Sequence, residues 1–581
     1  MIKNILIDLR SDPTSGANDI NGAPINSPAQ INPLLHHLKS IGYNTVTFNV
    51  SVPLDMRTGN LDFSPSPPGT LLNNLPSASL WEHVSYAHSI GLSSRIMAIP
   101  TLMFHADGRI DFTDTPIMST TPLGPGVSIS TIFNNIASYE KTLATLAQQH
   151  HVKAFYIGQN NMGLDTKTYV AEWQKVIDAV KSVYTGTVTY QGSYNNAVFG
   201  LVDEINYVIN PIISLTPKYN LAQIVQAYYH TPIWTNGPTY FQELATMIQK
   251  HGKTPIVLDG FSQMAATTGI GNTFYAFDLL MKNPQALSAL PDVNHSIQSL
   301  SYKAFLYVAQ HLIGSQTSGI GLAQYSPWER TPWLQNPHPN DTYNKLWNSM
   351  IKSSESLWGS QTVEKAIQES FTTNPLPNYF FSTPGNDSFT GNAGVVNTQV
   401  FYASSTVSTI TKTVTGLTVS TPSDGTDILA NIQRLQFSDT CRAFDLGLEQ
   451  SAGKTVLLVG AVLPDKLALD PSKMSLLGSV IDLFDQGYTL QQLSGATLRL
   501  PIWDTLTGHN NPTNTHIANY LLTNVKKTPP SQDILNAAVL ELDSETDATQ
   551  GTFLANLAMS IDAQAHIGLV GLQTHGLTYA I

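Results

Sequence analysis

The residues of this chain that could do chemistry cluster just past its predicted β-strands. "AFYIGQNNMG", residues 154–163, reads as a buried strand that stops at Gly158 and opens into the amides Gln159, Asn160 and Asn161. Carboxylates occupy similar places: Asp8 ends a first strand, Asp55 and Asp107 follow the next two, and Asp165 lies beyond the fourth. "PIVLDGF" carries Asp259, and Glu329 follows the last strand. In a (β/α)8 barrel such positions face the mouth, where catalytic side chains sit. Two carboxylates about 5–5.5 Å apart there would give a retaining glycosidase its acid/base and its nucleophile. An amide can hydrogen-bond a sugar hydroxyl, but it cannot pass a proton to a leaving oxygen. Two readings follow. One is a relocated carboxylate pair, Asp259 with Glu329. The other is a polar mouth that holds carbohydrate through Gln159, Asn160, Asn161, Asn195, Asn210, Tyr190 and Trp328 without cutting it.

The elements that must position these residues alternate. "NILIDLR", "TVTFNVSV", "RIMAIPTL", "AFYIGQN", "TVTYQGSY", "INYVINPI", "PIVLDGF" and "GIGLAQYS" read as strands. Helical patterns lie between them, such as "FNNIASYEKTLATLAQQH", which places Ile136, Tyr139, Leu143 and Leu146 on one apolar face. Eight strands alternating with helices over residues 1–370 predict a (β/α)8 barrel. An open doubly wound sheet fits less well, because no glycine-rich phosphate loop follows the first strand. Composition then shifts. Residues 371–448 are rich in Thr, Ser, Asn and Gly with period-two runs, which predicts a β-rich module of antiparallel strands. Residues 449–581 return to helical patterns.

The bulk numbers narrow the partners. Charged residues are 12% of the 581, about half the usual ~25%, so the surface must rely on Ser, Thr, Asn and Gln. A net charge of −12 without a basic run argues against nucleic acid. No apolar stretch approaches the roughly 20 residues that span a bilayer. "MIKNILIDLR" is a strand broken by Asp8 and not the apolar core of a secretory signal. One cysteine, Cys441, excludes an intramolecular disulfide and a cysteine metal cluster. His36-His37 and His150-His151 are poor metal pairs, since adjacent helical residues face different ways.

Three segments carry a resemblance. "FYIGQNN", "EWQKVIDAVKSVYTGTVTYQGSYN" and "TPIVLDGFS", in that order, resemble the β-mannanase-like glycoside hydrolases, retaining (β/α)8 enzymes. The resemblance implies an acid/base glutamate after the fourth strand, where this chain has Gly158-Gln159-Asn160. It implies a nucleophilic glutamate at the end of the seventh, where the chain has Leu258-Asp259-Gly260. Both positions depart from the family pattern, which implies weak hydrolysis or none. The C-terminal part resembles something else. "GNDSFTGNAGVVNTQVFY" looks like a single worn copy of the calcium-binding repeat of type I-secreted (RTX-like) bacterial proteins, with Asp387 as its remaining ligand. "GTDILANIQRLQFSDTCRAFDL" resembles the short β-module before the helical end of such proteins. These pieces imply export without a cleaved N-terminal signal and an extracellular or cell-surface location. No cofactor is required on this reading, and calcium at Asp387 is the one ion the pattern allows.

The sequence favours an extracellular structural protein, an S-layer or filament subunit that assembles with itself on a degenerate barrel and binds polysaccharide as an option. The alternative is a secreted glycoside hydrolase acting on a β-linked polysaccharide.

Overall fold

A computed structural model describes residues 1–8, 28–60, 78–104, 121–159, 163–193, 196–208, 213–214, 220–232, 237–252, 254–261, 269–270, 295–313, 317–325, 361–463, 471–566 and 569–580. The chain packs as two compact units, Met1–Pro375 and Leu376–Ile581.

The first unit is a closed barrel of eight parallel strands. They are β1 (Ile2–Asp8), β2 (Thr45–Asp55), β3 (Ser93–Phe104), β4 (Ala154–Gln159), β5 (Thr187–Gly192), β6 (Glu204–Val208), β7 (Ile256–Phe261) and β8 (Gly319–Tyr325). Each pairs with its sequence neighbour, and β8 closes on β1 through Ile2↔Gly319 to Ile5↔Leu322. Helices α1 (Pro28–Ile41), α2 (Ala78–Ser89), α3 (Ile129–Gln149), α4 (Val170–Lys181), α5 (Leu221–His230), α6 (Tyr240–His251), α7 (His295–Tyr307) and α8 (Gln361–Thr372) fill the connections.

Local chemistry starts these helices. Ser128 caps α3 by accepting the Thr131 N–H, while Asn220 with Gln223 and Thr239 with Gln242 form capping boxes before α5 and α6. The apolar face read on α3 is there: Ile136, Tyr139 and Leu143 are buried and Leu146 is half-buried. Glu140 is buried beside them, and neither of its carboxyl oxygens has a hydrogen-bond partner.

In the second unit, β9 (Tyr379–Phe381), β11 (Thr398–Val400) and β15 (Arg434–Gln436) pair in parallel, β16 (Cys441–Ala443) adds antiparallel to β15, and β17 (Leu577–Tyr579) adds antiparallel to β16. A second sheet holds β10 (Ser388–Thr390), parallel to β14 (Gly425–Ala430), with β13 (Gly416–Thr421) and β12 (Thr409–Lys412) antiparallel beyond it. The antiparallel expectation therefore needs correcting for the leading strands. Three-residue strands pass alternately into the two sheets, β9 to β10 to β11, so equivalent strands climb in parallel. Period-two alternation looks the same in either orientation. Phe401, Leu417, Val419, Leu429, Leu435 and Phe437 form a core between the sheets.

The rest of this unit is helical: α9 (Ser451–Val462), α10 (Met474–Asp485), α11 (Leu490–Leu498), α12 (Ile502–Thr507), α13 (Asn514–Lys526), α14 (Gln532–Ser544), α15 (Thr552–Ala558), α16 (Ile561–His566) and α17 (Leu569–His575). Residues 376–581, which the sequence divides near residue 448, pack as one unit. Cys441 and Ala443 share a core with Val456, Leu477, Ile481 and Tyr579.

Candidate active site

Inward-facing side chains of the barrel are unusually polar, and they connect. On β3, the buried Arg95 reaches Glu204 of β6 through Nη1–Oε1 at 2.6 Å and Nη2–Oε2 at 3.2 Å. Burial alone would lower the guanidinium, but Tyr156 and Glu204 carry it above its ordinary value. Arg95 Nη1 also donates to the hydroxyl of Tyr156, on β4, at 3.3 Å. That hydroxyl stands 3.0 Å from Asn206 Oδ1 and 3.1 Å from Asp259 Oδ2. Burial, with Asp259 beside it, pushes Tyr156 well above the usual phenol range, so the hydroxyl stays a donor.

Asp259 lies at the C-terminal end of β7, in register with Val208, and is 2% exposed. Its Oδ2 accepts a second bond, from Gln191 Nε2 of β5 at 3.0 Å. Room for the carboxyl comes from β8. A Cβ at Gly321 would collide with Asp259 Oδ1 and Cγ, with Asn4 Nδ2 of β1 beyond them at 3.4 Å. Among the described residues, Asp259 is thus an inward carboxylate towards the end of β7, held by Tyr156 and Gln191 and given room by the missing side chain of Gly321.

The other expected site residues are distributed as follows. Gln159 ends β4 half-buried, in register with Gln191. Tyr190 does not face the mouth. It is wholly buried on the outer face of β5, with its ring 5.3 Å from that of Trp173 on α4 and 6.4 Å from that of Phe199, both edge-on. Its neighbours Thr189 and Gln191 take the inward positions, and successive strand residues face opposite ways. Asp55 turns back on Arg57, whose guanidinium contacts it at 2.7–3.1 Å. Burial would raise that carboxyl, but the Arg57 bonds hold it below its ordinary value. Asp165, raised by burial, accepts from Asn196 Nδ2 at 2.7 Å. Asn160, Asn161, Asn195, Asn210, Asp107, Trp328 and Glu329 lie outside the described residues, so the proposed pairing of Asp259 with Glu329 does too.

In the second unit, Asp387 is spent locally: its Oδ2 accepts the Thr383 N–H at 2.8 Å and hydroxyl at 2.9 Å. Among the described residues, no group of three or more His, Cys, Asp or Glu side chains is arranged to hold a metal ion. Cys441 is buried, and burial pushes its thiol up to about 12, which suits packing rather than nucleophilic attack. Among the described residues, no helix is long and apolar enough to cross a membrane.

Sequence reasoning missed Tyr156, Gln191, Asn206, Arg95 and Glu204. A signal was present. Thr189/Gln191 and Glu204/Asn206 are polar residues at every second place in otherwise apolar strands, the mark of a polar inner face.

The model for Glycoside Hydrolase Family 113 matches residues 75–250, which include Tyr156, Gln191 and Glu204 and end before Asp259. No curated protein matches the chain. Among solved structures, a GH113 β-1,4-mannanase complex is 14% identical and covers 64% of this chain and 99% of its own, with a TM-score of 0.41. The GH113 β-mannanase AaManA from Alicyclobacillus acidocaldarius, in complex with ManMIm, is also 14% identical over 64% of this chain and 97% of its own, with a TM-score of 0.40. The Ignisphaera aggregans GH53 catalytic domain is 13% identical over 52% and 86%, with a TM-score of 0.32. Likeness at this level carries nothing about substrate.

Proposed function

We propose that the barrel unit is glycosidase-like and engages a β-linked polysaccharide, with Asp259 as the carboxylate available for chemistry and turnover limited by the amide at position 160. The observation that carries this reading is the clamped, inward Asp259 at the end of β7. It sits in a barrel that a glycoside hydrolase family model matches over residues 75–250. Of the two functions considered on sequence, this is nearer the alternative. The self-assembling S-layer or filament role draws no support from the barrel or from the family match.

Asn160 cannot protonate a leaving oxygen, and general acid–base assistance is worth on the order of 10²–10⁴-fold. The protein should therefore bind β-linked chains and release reducing ends slowly. The test uses purified protein on β-mannan and β-glucan, measuring retention in affinity gels and reducing ends in solution. We expect binding by the wild type, faster release by Asn160→Glu, and loss of that gain when Asp259→Asn is added. Absence of binding to every chain offered would sink the reading.

Action outside the cell follows from the same proposal. The alternating parallel strands β9, β10 and β11 support the likeness of the C-terminal unit to the RTX-like ends of exported proteins.

A further inference from the structure

We infer that Tyr156 and Gln191 are positioning residues that set the orientation and acidity of Asp259 through a single oxygen, with the Arg95–Glu204 pair steadying the clamp from below. The inference rests on the proposed role of Asp259 but is testable without it.

Three features of the geometry point the same way. First, the Tyr156 hydroxyl has one proton and two acceptors in reach, Asn206 Oδ1 at 3.0 Å and Asp259 Oδ2 at 3.1 Å. A charged acceptor forms the stronger bond, so the proton goes to the carboxylate. Arg95 Nη1 at 3.3 Å supplies the hydroxyl's incoming bond and orients it.

Second, the amide of Gln191 has a fixed sense. Its Nε2 faces Asp259 Oδ2 at 3.0 Å, and the flipped amide would set oxygen against oxygen. In this sense Gln191 Oε1 is buried with no hydrogen-bond partner. Leaving a buried acceptor unmade is costly, and such costs concentrate where function requires them.

Third, the Tyr156 and Gln191 donors converge on Oδ2, while Oδ1 lies over Gly321, whose missing side chain leaves it room. Three strands, β4, β5 and β7, contribute to one carboxylate, so its direction is set by barrel closure and not by its own rotamer.

Hydrogen bonds to the charged form of a carboxylate favour that form. Removing either donor should therefore make Asp259 easier to protonate. The experiment titrates full-length protein labelled with ¹³C-carboxyl aspartate, identifying the Asp259 resonance by its loss in Asp259→Asn. We expect Tyr156→Phe, which removes only the hydroxyl, to move the Asp259 midpoint up by about one pH unit. Gln191→Met should move it the same way, and circular dichroism checks that each variant folds. Should Tyr156→Phe fail to fold, Gln191→Met alone decides. A folded variant whose Asp259 midpoint stays at the wild-type value overturns the inference. Polysaccharide assays run alongside separate the two ideas. A shifted midpoint without sugar binding keeps the clamp and removes the proposed function, while sugar binding with an unshifted midpoint does the reverse.

Discussion

Among the described residues, each unit buries one arginine among carboxylates, and the two networks differ in where they lead. Arg434 on β15 forks onto Asp445, at 2.8 Å and 3.2 Å, and onto Asp485 of α10, and Asp445 in turn accepts the Ala452 N–H of α9, so the cluster joins sheet to helices. Arg95 has one carboxylate partner, Glu204, and spends a further bond on Tyr156, which passes on to Asp259 at the end of a barrel strand. Arg434 acts as a staple. Arg95 is the foot of a ladder whose top rung is the candidate site. A buried ion pair adds little net stability by itself, yet removing one partner strands the other. The same chemistry thus serves cohesion in one unit and orientation in the other.

The largest break in this comparison should come from the arginines themselves. Arg434→Met leaves Asp445 and Asp485 without their cation, and loss of one partner of a buried pair costs about 3–5 kcal/mol. Arg95→Met strands only Glu204 and should fall at or below the lower end of that range. Denaturant titration followed by hydrogen exchange, resolved to 1–375 and 376–581, would check that each loss stays within its own unit. Equal losses would mean that the barrel network is also a staple.

Next come two glycines that make room for neighbours. A Cβ at Gly478 would meet the carbonyl of Ala580, just after β17, and one at Gly321 would meet the carboxyl of Asp259. Overpacking typically costs about 1–3 kcal/mol. Gly478→Ala should loosen β17, seen as faster exchange at Leu577–Tyr579. Gly321→Ala should move Asp259 off its two donors, seen as an altered Asp259 titration with only a modest fall in stability.

The smallest effects are pH-dependent. Asp427 of β14 is pushed up to about 6 by burial, although Ser382 and the Asp387 N–H bond its carboxyl. Between about pH 4 and 6 the folded form holds this proton more tightly than the unfolded chain does. Its contribution is therefore fully present below about pH 4 and lost as pH rises through 6. Asp427→Asn should flatten that slope in thermal melts of the second unit. In the barrel, burial pushes the unpartnered Glu140 well above the ordinary carboxylate range. Its slope has the same sign, so Glu140→Gln should raise the melting temperature of the first unit at pH 8 and leave it unchanged at pH 4. A gain at both pH values would show that the effect is packing and not charge.

Much of the barrel was legible in the chain because its strands are short apolar runs broken by helical periods. The end of α8 at Thr372 and the division at Pro375 lie close to the composition shift read near residue 370. The site was legible only in part. Asp259 stood out as a carboxylate ending a strand, but its partners did not. Tyr156 reads as one more apolar residue of "AFYIG", and Gln191 as one more polar residue near a turn. The sequence offers Tyr190 as one of the carbohydrate-binding residues, whereas β5 turns that position towards Trp173.

The sequence by itself determined the kinds of element, their order along the barrel, and the presence of an acid at 259 with amides at 159–161. Those are local properties: strand propensity, helix caps and residue type are written within a few positions. Only the tertiary structure decided which alternate residues face the lumen, since a shift of one residue in register sends every side chain of a strand to the other face. It also decided that the glycine at 321 serves the aspartate at 259, that β9 and β11 run in parallel, and that Leu577–Tyr579, near the end of the chain, completes a sheet begun at Tyr379. Each of these depends on pairing between distant segments, which barrel closure and sheet stacking fix and which no local stretch encodes.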